Sequence, residues 1–303
     1  MCSQHNKPLH FPNDRGHRHM INTWQIGVTT LCYSPASFSL HRALEGIAQS
    51  GFKFVAPVSI PEWGEHIMPE HLSFAGINHI AKLIGSFGLQ TTAIFAPHAL
   101  EHPEGVDLLK ARVDLAAALG AKYVDTGTIW PYKDLWTLRP KSELQEAEIA
   151  FHRHVVEVAD YAAQFGITIS LETHTGLAGT GPKALQVMQR LEHPNIRIVY
   201  DTANLIYYEG IRPETDLPVI ANYVSNLHLK DTKGGLHEPN MTAIGEGNID
   251  FAVIFKTLKD AGFTGPINIE GVEGGDAKTT DNMLQRSHAF ISRTLNELNI
   301  AFA

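Results

Sequence analysis

Cysteine is almost missing from this chain. Cys2 and Cys32 are the only two in 303 residues, too few for a disulfide framework, so a reducing, cytoplasmic setting is expected. Long apolar runs are missing as well. No stretch approaches the roughly 18 to 20 residues needed to cross a bilayer, and the opening segment "MCSQHNKPLHFPNDRGHRHMINTW" lacks the apolar core of a signal peptide. Positive charge is in deficit: 24 Lys and Arg face 32 Asp and Glu, leaving a net charge of −8. A broad nucleic-acid or anionic-membrane surface needs clustered cations, so neither partner is expected. The P-loop, the G-x-S-x-G elbow and paired C-x-x-C are absent too.

What is present is enough chain for one large core. Residues 1–20, with His5, His10, His17 and His19, read as a flexible polar extension rather than a metal-binding tail. From 21 to 303 one pattern recurs: a short apolar run, a polar loop, then a longer amphipathic stretch. The strand candidates are approximately 24–29, 53–58, 90–96, 122–127, 167–172, 196–201, 224–230 and 266–271. Between them lie helical patterns such as "GVDLLKARVDLAAALG" and "ELQEAEIAFHRHVVEVADYAAQFG", several of which stop at Gly. Strands alternating with helices in this way predict a parallel sheet. A single-domain (β/α)₈ TIM barrel accounts for the count without a leftover element. The alternative is a doubly wound open sheet, but the first strand, "TWQIGVTTLCYS", carries no G-x-G-x-x-G turn.

The strand ends carry the chemistry. The fifth candidate, "ITISLETHTG", ends at Glu172; the sixth, "IRIVYDTANL", at Asp201; the seventh, "VSNLHLKD", offers His228; the eighth, "PINIEG", offers Glu270. Side chains alternate along a strand. Thr168, Ser170, Glu172 and His174 therefore share one face, as do Asn226, His228 and Lys230, and as do Asn268 and Glu270. Aliphatic residues take the opposite face each time. In a barrel this turns the polar set toward the axis and brings its last members together at the C-terminal mouth. A lone Asp after a strand is ordinarily a helix cap or a solvated loop group. Three carboxylates and an imidazole at one place would repel and neutralise one another, and a divalent cation removes the conflict. The oxygen-rich set favours Mn²⁺, with Co²⁺, Mg²⁺ and Zn²⁺ as alternatives. Asn226 and Asn268, one same-face step below His228 and Glu270, are candidates to orient those ligands.

On "SLETH", "YDTANL", "LHLKD", "INIEG" and the loop "IGEGNIDF", the chain resembles the sugar phosphate isomerase/epimerase superfamily, with its xylose isomerase-like TIM barrel. The resemblance covers roughly residues 24 to 295. It implies one divalent metal held by Glu172, Asp201, His228 and Glu270, and a small carbohydrate substrate. It further implies Glu172 and Glu270 as the acid/base pair, one removing the proton beside a carbonyl and the other returning it, with the metal stabilising the enediolate. Two departures stand out. Asn204 lies where many members have His, and Ala178 lies where ketose 3-epimerases carry a second Glu. His174 therefore becomes a candidate for proton transfer. Related barrels use similar sites for eliminations on keto-inositols, keto-sugars or 3-keto-glycosides, so a lyase or dehydratase is the alternative reading. Multi-zinc endonucleases are disfavoured by Asn204 and the acidic balance, and a non-catalytic sugar-binding barrel is a further class.

Around this centre, His98 closes the third strand and is a candidate substrate contact. Lys230 is a candidate to hold a substrate oxygen; the alternative is a charge that snorkels out of the rim or pairs with Asp231. Glu246, on the Gly-rich loop, is expected near the mouth. Trp63 and Trp130 follow the second and fourth strands and would form an aromatic wall for a sugar ring. A homo-oligomer is expected from the resemblance alone.

Overall fold

The computed structural model describes residues 23–34, 38–134 and 136–303; the polar extension over residues 1–20, with its histidines, lies outside them. Parallel strands form the barrel wall: β1 (Gln25–Thr29), β2 (Phe54–Ala56), β3 (Gln90–Thr91), β4 (Ala93–Phe95), β5 (Tyr123–Thr126), β6 (Thr168–Glu172), β7 (Ile196–Asp201) and β8 (Val224–Leu229). A short antiparallel ribbon, β9 (Asp231–Thr232) with β10 (Met241–Thr242), stands beyond β8, and β11 (Pro266–Ile269) completes the wall. The order is β3-β2-β1-β11-β8-β7-β6-β5-β4. β3 and β4 are two halves of the third barrel strand, which the sequence predicts as continuous over 90–96.

Thr92 interrupts that strand. Its amide still donates to Val55 O at 3.0 Å, and Phe95 N donates to Pro57 O at 3.0 Å, so main-chain bonds carry the wall from β2 to β4 and close it. The Thr92 hydroxyl turns across the barrel and donates to Asn268 Oδ1 on β11 at 3.0 Å. This bond satisfies a buried polar group and breaks the regular alternation of the strand.

Among the described residues, eight helices cover the wall: α1 (Leu40–Gln49), α2 (Phe74–Ser86), α3 (Pro103–Leu119), α4 (Lys141–Ala163), α5 (Gly181–Leu191), α6 (Pro213–Ile220), α7 (Phe251–Asp260) and α8 (Ala277–Glu297). Their amphipathic spacing works as expected. In α1, Ala43, Leu44 and Ile47 are buried, and Ser39 caps the helix by accepting from Arg42 N. These faces pack on Ile169, Leu171, Leu227, Leu229, Ile267 and Ile269, the outward aliphatic set of the strands, in one continuous core. Each such side chain contributes roughly 1.5–3 kcal/mol by leaving water. Among the described residues, no helix is long and apolar enough to cross a membrane.

The inward faces of β6, β8 and β11 carry buried polar groups such as Ser170, Asn226 and Asn268. Asn226 on β8 donates to Asp125 on β5 at 2.5 Å, a bond that spans the barrel interior rather than neighbouring strands. Gly27 on β1 makes room for this filling, because a Cβ there would lie 2.7 Å from Asn268 Oδ1 and 3.0 Å from Phe54 O. At the mouth, Arg112 of α3 is fully buried and bonded to Glu70, which ties the loop between β2 and α2 to the rim.

Candidate active site

Strand register brings the polar ends together. Asp201 pairs with His228 across β7 and β8, and His228 pairs with Asn268 across β8 and β11, which sets Glu270 one step higher. Glu172 ends β6 on the other side of β7. Each of Glu172, Asp201, His228 and Glu270 offers one ligand atom, and these atoms all lie within 4.8 Å of one another. All four residues are at most 3% exposed. His228 Nδ1 lies 2.9 Å from Glu270 Oε2 and 3.4 Å from Glu172 Oε1. Lys230 joins them, with Nζ 2.9 Å from Asp201 Oδ2 and 2.6 Å from Glu270 Oε1.

The donor set fits a divalent cation. Asp201 Oδ1 is taken by the amides of Ala203 and Asn204, at 2.9 and 2.8 Å, which leaves Oδ2 for the centre. Asp201 Oδ2 and Glu270 Oε2 are buried and accept no directed hydrogen bond, although cationic nitrogens stand nearby. Buried carboxylate oxygens in that position carry a desolvation cost that a cation would offset. Electrostatics agree. Burial, aided by Glu270 and Glu172 and opposed by Lys230, pushes the Asp201 carboxyl up to about 6. Burial also raises Glu270, but Lys230 and His228 outweigh it and hold that carboxyl down at about 2. The same carboxylates drive the Lys230 ammonium and the His228 imidazolium well above their ordinary values, against the opposing effect of burial. Within the chain itself, then, these two side chains supply the positive charge the carboxylates require.

Asp125 carries no signal in the sequence and joins the centre in the folded barrel. Its Oδ2 lies 3.2 Å from His228 Nε2, and its Oδ1 accepts from Asn226. With a cation bound, a carboxylate at Nε2 would keep the proton there and leave the Nδ1 lone pair for the metal. Phe95 packs edge-on against the same imidazole at 4.9 Å. Asn226 therefore acts through Asp125, and Asn268 bonds to Thr92 instead of a ligand. Asn204, the departure from the family's His, donates to Glu172 Oε1 at 3.2 Å and lies 3.3 Å from Lys230 Nζ through its own oxygen. Asp125→Asn is expected to weaken divalent-metal binding about 10- to 100-fold while the far-UV circular dichroism stays native. Competition with a chelating dye measures it, and unchanged affinity would remove Asp125 from the centre.

Above the cluster opens a cleft of about 360 Å³, with Glu172, Glu270 and Lys230 among its lining residues. Trp63, Trp130, His98 and His174 line it as well. Trp130 sits 5.6 Å from the His174 ring and 6.0 Å from Tyr208, and His174 and Tyr208 approach to 4.5 Å. Tyr208 was not singled out in the sequence; it reaches the wall from the π-helical turn Leu205–Glu209 after β7. Burial is the main cause that holds both His98 and His174 below the usual histidine value, His98 at about 4, so both are neutral near pH 7.

Glu246 is not brought to the cleft. Asp231 gathers the Gly-rich loop by accepting from Gly245 N and Gly247 N at 2.9 and 2.8 Å, and Glu246 turns outward to pair with Arg286 of α8 at 2.6 Å. The side chain is thus tethered to a helix. Lys230 likewise does not pair with Asp231; it reaches into the carboxylate cluster.

Residues 44–293 match the xylose isomerase-like TIM barrel family. The chain belongs to that family. Among curated relatives, a ketose 3-epimerase of Arthrobacter globiformis is 31% identical over 173 residues, a match spanning 55% of each protein. An L-ribulose 3-epimerase of Methylomonas sp. (strain DH-1) is 24% identical over 234 residues, 76% of this chain and 77% of that protein. The chain thus matches only about half the length of the first relative but three quarters of the second. Among solved structures, a xylose isomerase-like TIM barrel protein from Mycobacterium smegmatis, in complex with magnesium, superposes with a TM-score of 0.73 at 18% identity, covering 91% of this chain and 98% of that one. As in other barrels, the candidate site lies at the C-terminal ends of the strands.

Proposed function

We propose that this protein is a divalent-metal-dependent epimerase or isomerase of a small keto-sugar, acting by proton transfer beside a carbonyl. The observation that carries the reading is that Glu172 and Glu270 do two things at once. Both belong to the buried ligand set, and both line the cleft where a substrate would lie. The curated relatives, a ketose and a ribulose 3-epimerase, support the same chemistry.

Glu172, Asp201, His228 and Glu270 would hold the cation, with Mn²⁺ favoured by the O₃N donor set. When bound, it supplies positive charge beside the oxyanion that forms on proton removal. The chain's own groups do the rest. Glu172 and Glu270 are the base and the acid of the two proton transfers, and His174, held neutral, is an additional carrier at the cleft wall. Lys230 is placed to hold a substrate oxygen, and the rings of Trp63 and Trp130 flank the sugar and keep water from it.

Incubating the Mn²⁺-loaded protein with L-ribulose in D₂O tests this reading. Uptake of one deuterium at carbon, with an epimeric ketose or an aldose product of otherwise unchanged mass, is the expected result by NMR and mass spectrometry. A product lighter by one water would move the assignment to a lyase. No uptake with L-ribulose, D-fructose or D-tagatose would refute it.

A further inference from the structure

Two buried polar atoms in the cleft have no partner among the described residues, and neither belongs to the metal set. Glu101, on the loop between β4 and α3, has a side chain only 6% exposed. Its Oε1 is held by Arg139 Nη1 at 3.1 Å, while Oε2 accepts nothing. His98, three residues earlier, is 8% exposed; its amide donates to Thr126 Oγ1, and its Nε2 is unpartnered. Both residues line the same cleft as Glu172 and Glu270. A buried acceptor without a donor costs about 1–3 kcal/mol, so a hydrogen-bond donor entering the cleft at these two atoms would be favoured.

The charges around the cleft restrict what that ligand can be. Among the described residues lining it, Lys230 is the one Lys or Arg, and its ammonium is already shared between Asp201 and Glu270. Arg139 is occupied by Glu101 and by the carbonyl of Trp130 at 3.2 Å. Glu101 adds a further negative charge. A phosphate dianion placed beside Glu101 would meet carboxylate repulsion and find Arg139 already engaged, with Lys230 held at the carboxylate cluster instead. A hydroxyl suits both atoms, since it donates to Glu101 Oε2 and exchanges a hydrogen bond with His98 Nε2. At about 360 Å³ the cleft is near the small end of ligand pockets and suits one sugar unit.

Building on the keto-sugar reading above, we infer that Glu101 and His98 form a hydroxyl-recognising subsite that selects a free, unphosphorylated keto-sugar and rejects its terminal phosphate. Glu101 is the discriminating residue. Its Oε2 rewards a hydroxyl donor and repels a phosphate oxygen, while Arg139 fixes its orientation from behind.

Calorimetric titration of the full-length, Mn²⁺-loaded protein tests this, using L-ribulose and D-fructose as probes against L-ribulose 5-phosphate and D-fructose 6-phosphate. The wild type is expected to bind the free sugar of at least one pair about tenfold or more tighter than its phosphate, equivalent to roughly 1.4 kcal/mol. Glu101→Gln should bring that pair within about threefold, and His98→Gln should weaken the free sugar. Equal or tighter binding of the phosphate by the wild type would overturn the subsite, whatever the variants do. So would an unchanged ratio in Glu101→Gln with native near-ultraviolet dichroism, or binding of none of the four compounds. The two readings fail differently. A preference for the free sugar without deuterium uptake sinks the proposed reaction alone, whereas uptake without preference sinks the subsite alone.

Discussion

Asp201→Asn, purified beside the wild type without chelator, is expected to retain less than a tenth of the wild-type metal by elemental mass spectrometry. The reason lies in how its carboxylate is divided. Oδ1 is committed to the amides of Ala203 and Asn204, and Oδ2 faces the centre without a directed partner. An asparagine cannot serve both sides. With its oxygen toward the metal, its NH₂ group meets two backbone donors; flipped, it satisfies them and offers the cation a donor instead. Either way the centre loses an anionic ligand, a larger change than the 10- to 100-fold effects typical of groups one shell out. Deuterium uptake should fall with it by about a thousandfold or more, since polarisation of an oxygen by a cation is worth several kcal/mol. Wild-type metal content and wild-type exchange in this variant would remove Asp201 from the ligand set, and the mechanism would go with it.

The same residue shows why so much of the site was legible in the sequence. A carboxylate at the end of "IRIVYD" is a local anomaly, and the alternation of side chains converts four such anomalies into one prediction about a shared face. Register then does the rest, because Asp201 opposite His228 and His228 opposite Asn268 follow from parallel neighbours in a closed wall. What was illegible depends on partners across the barrel. Asp125 sits inside an ordinary strand, and only the closed wall sets it against His228. Thr92 breaks its strand for a bond to Asn268, 176 residues away. Glu246 was expected at the mouth because its loop is Gly-rich, but the buried Asp231 collects that loop's amides and faces the side chain toward α8. Glu101 gave no pattern at all, since its meaning comes from an Arg139 that ends a separate loop.

Lys230→Met should show opposite effects on stability and on metal binding. In the chelator-treated protein the Lys230 ammonium lies between Asp201 and Glu270, and Asn204 offers it an oxygen. A methionine of similar length leaves those carboxylates without their nearest cation. Removing one member of a buried ion pair costs about 3–5 kcal/mol, and the metal-free variant should melt roughly 5–8 °C below the metal-free wild type. A divalent ion competes with the ammonium for the same oxygens. In the variant that competition is gone, so Mn²⁺ should raise the melting temperature by more than it does in the wild type, closing most of the gap. Metal affinity rises while turnover falls, because the group that would hold the substrate oxygen has been removed. Thermal denaturation with and without Mn²⁺, alongside the deuterium assay, reads both effects. Equal melting temperatures for the two chelator-treated proteins would mean that Lys230 does not neutralise the cluster, and the charge balance drawn from its 2.6 Å approach to Glu270 would be wrong.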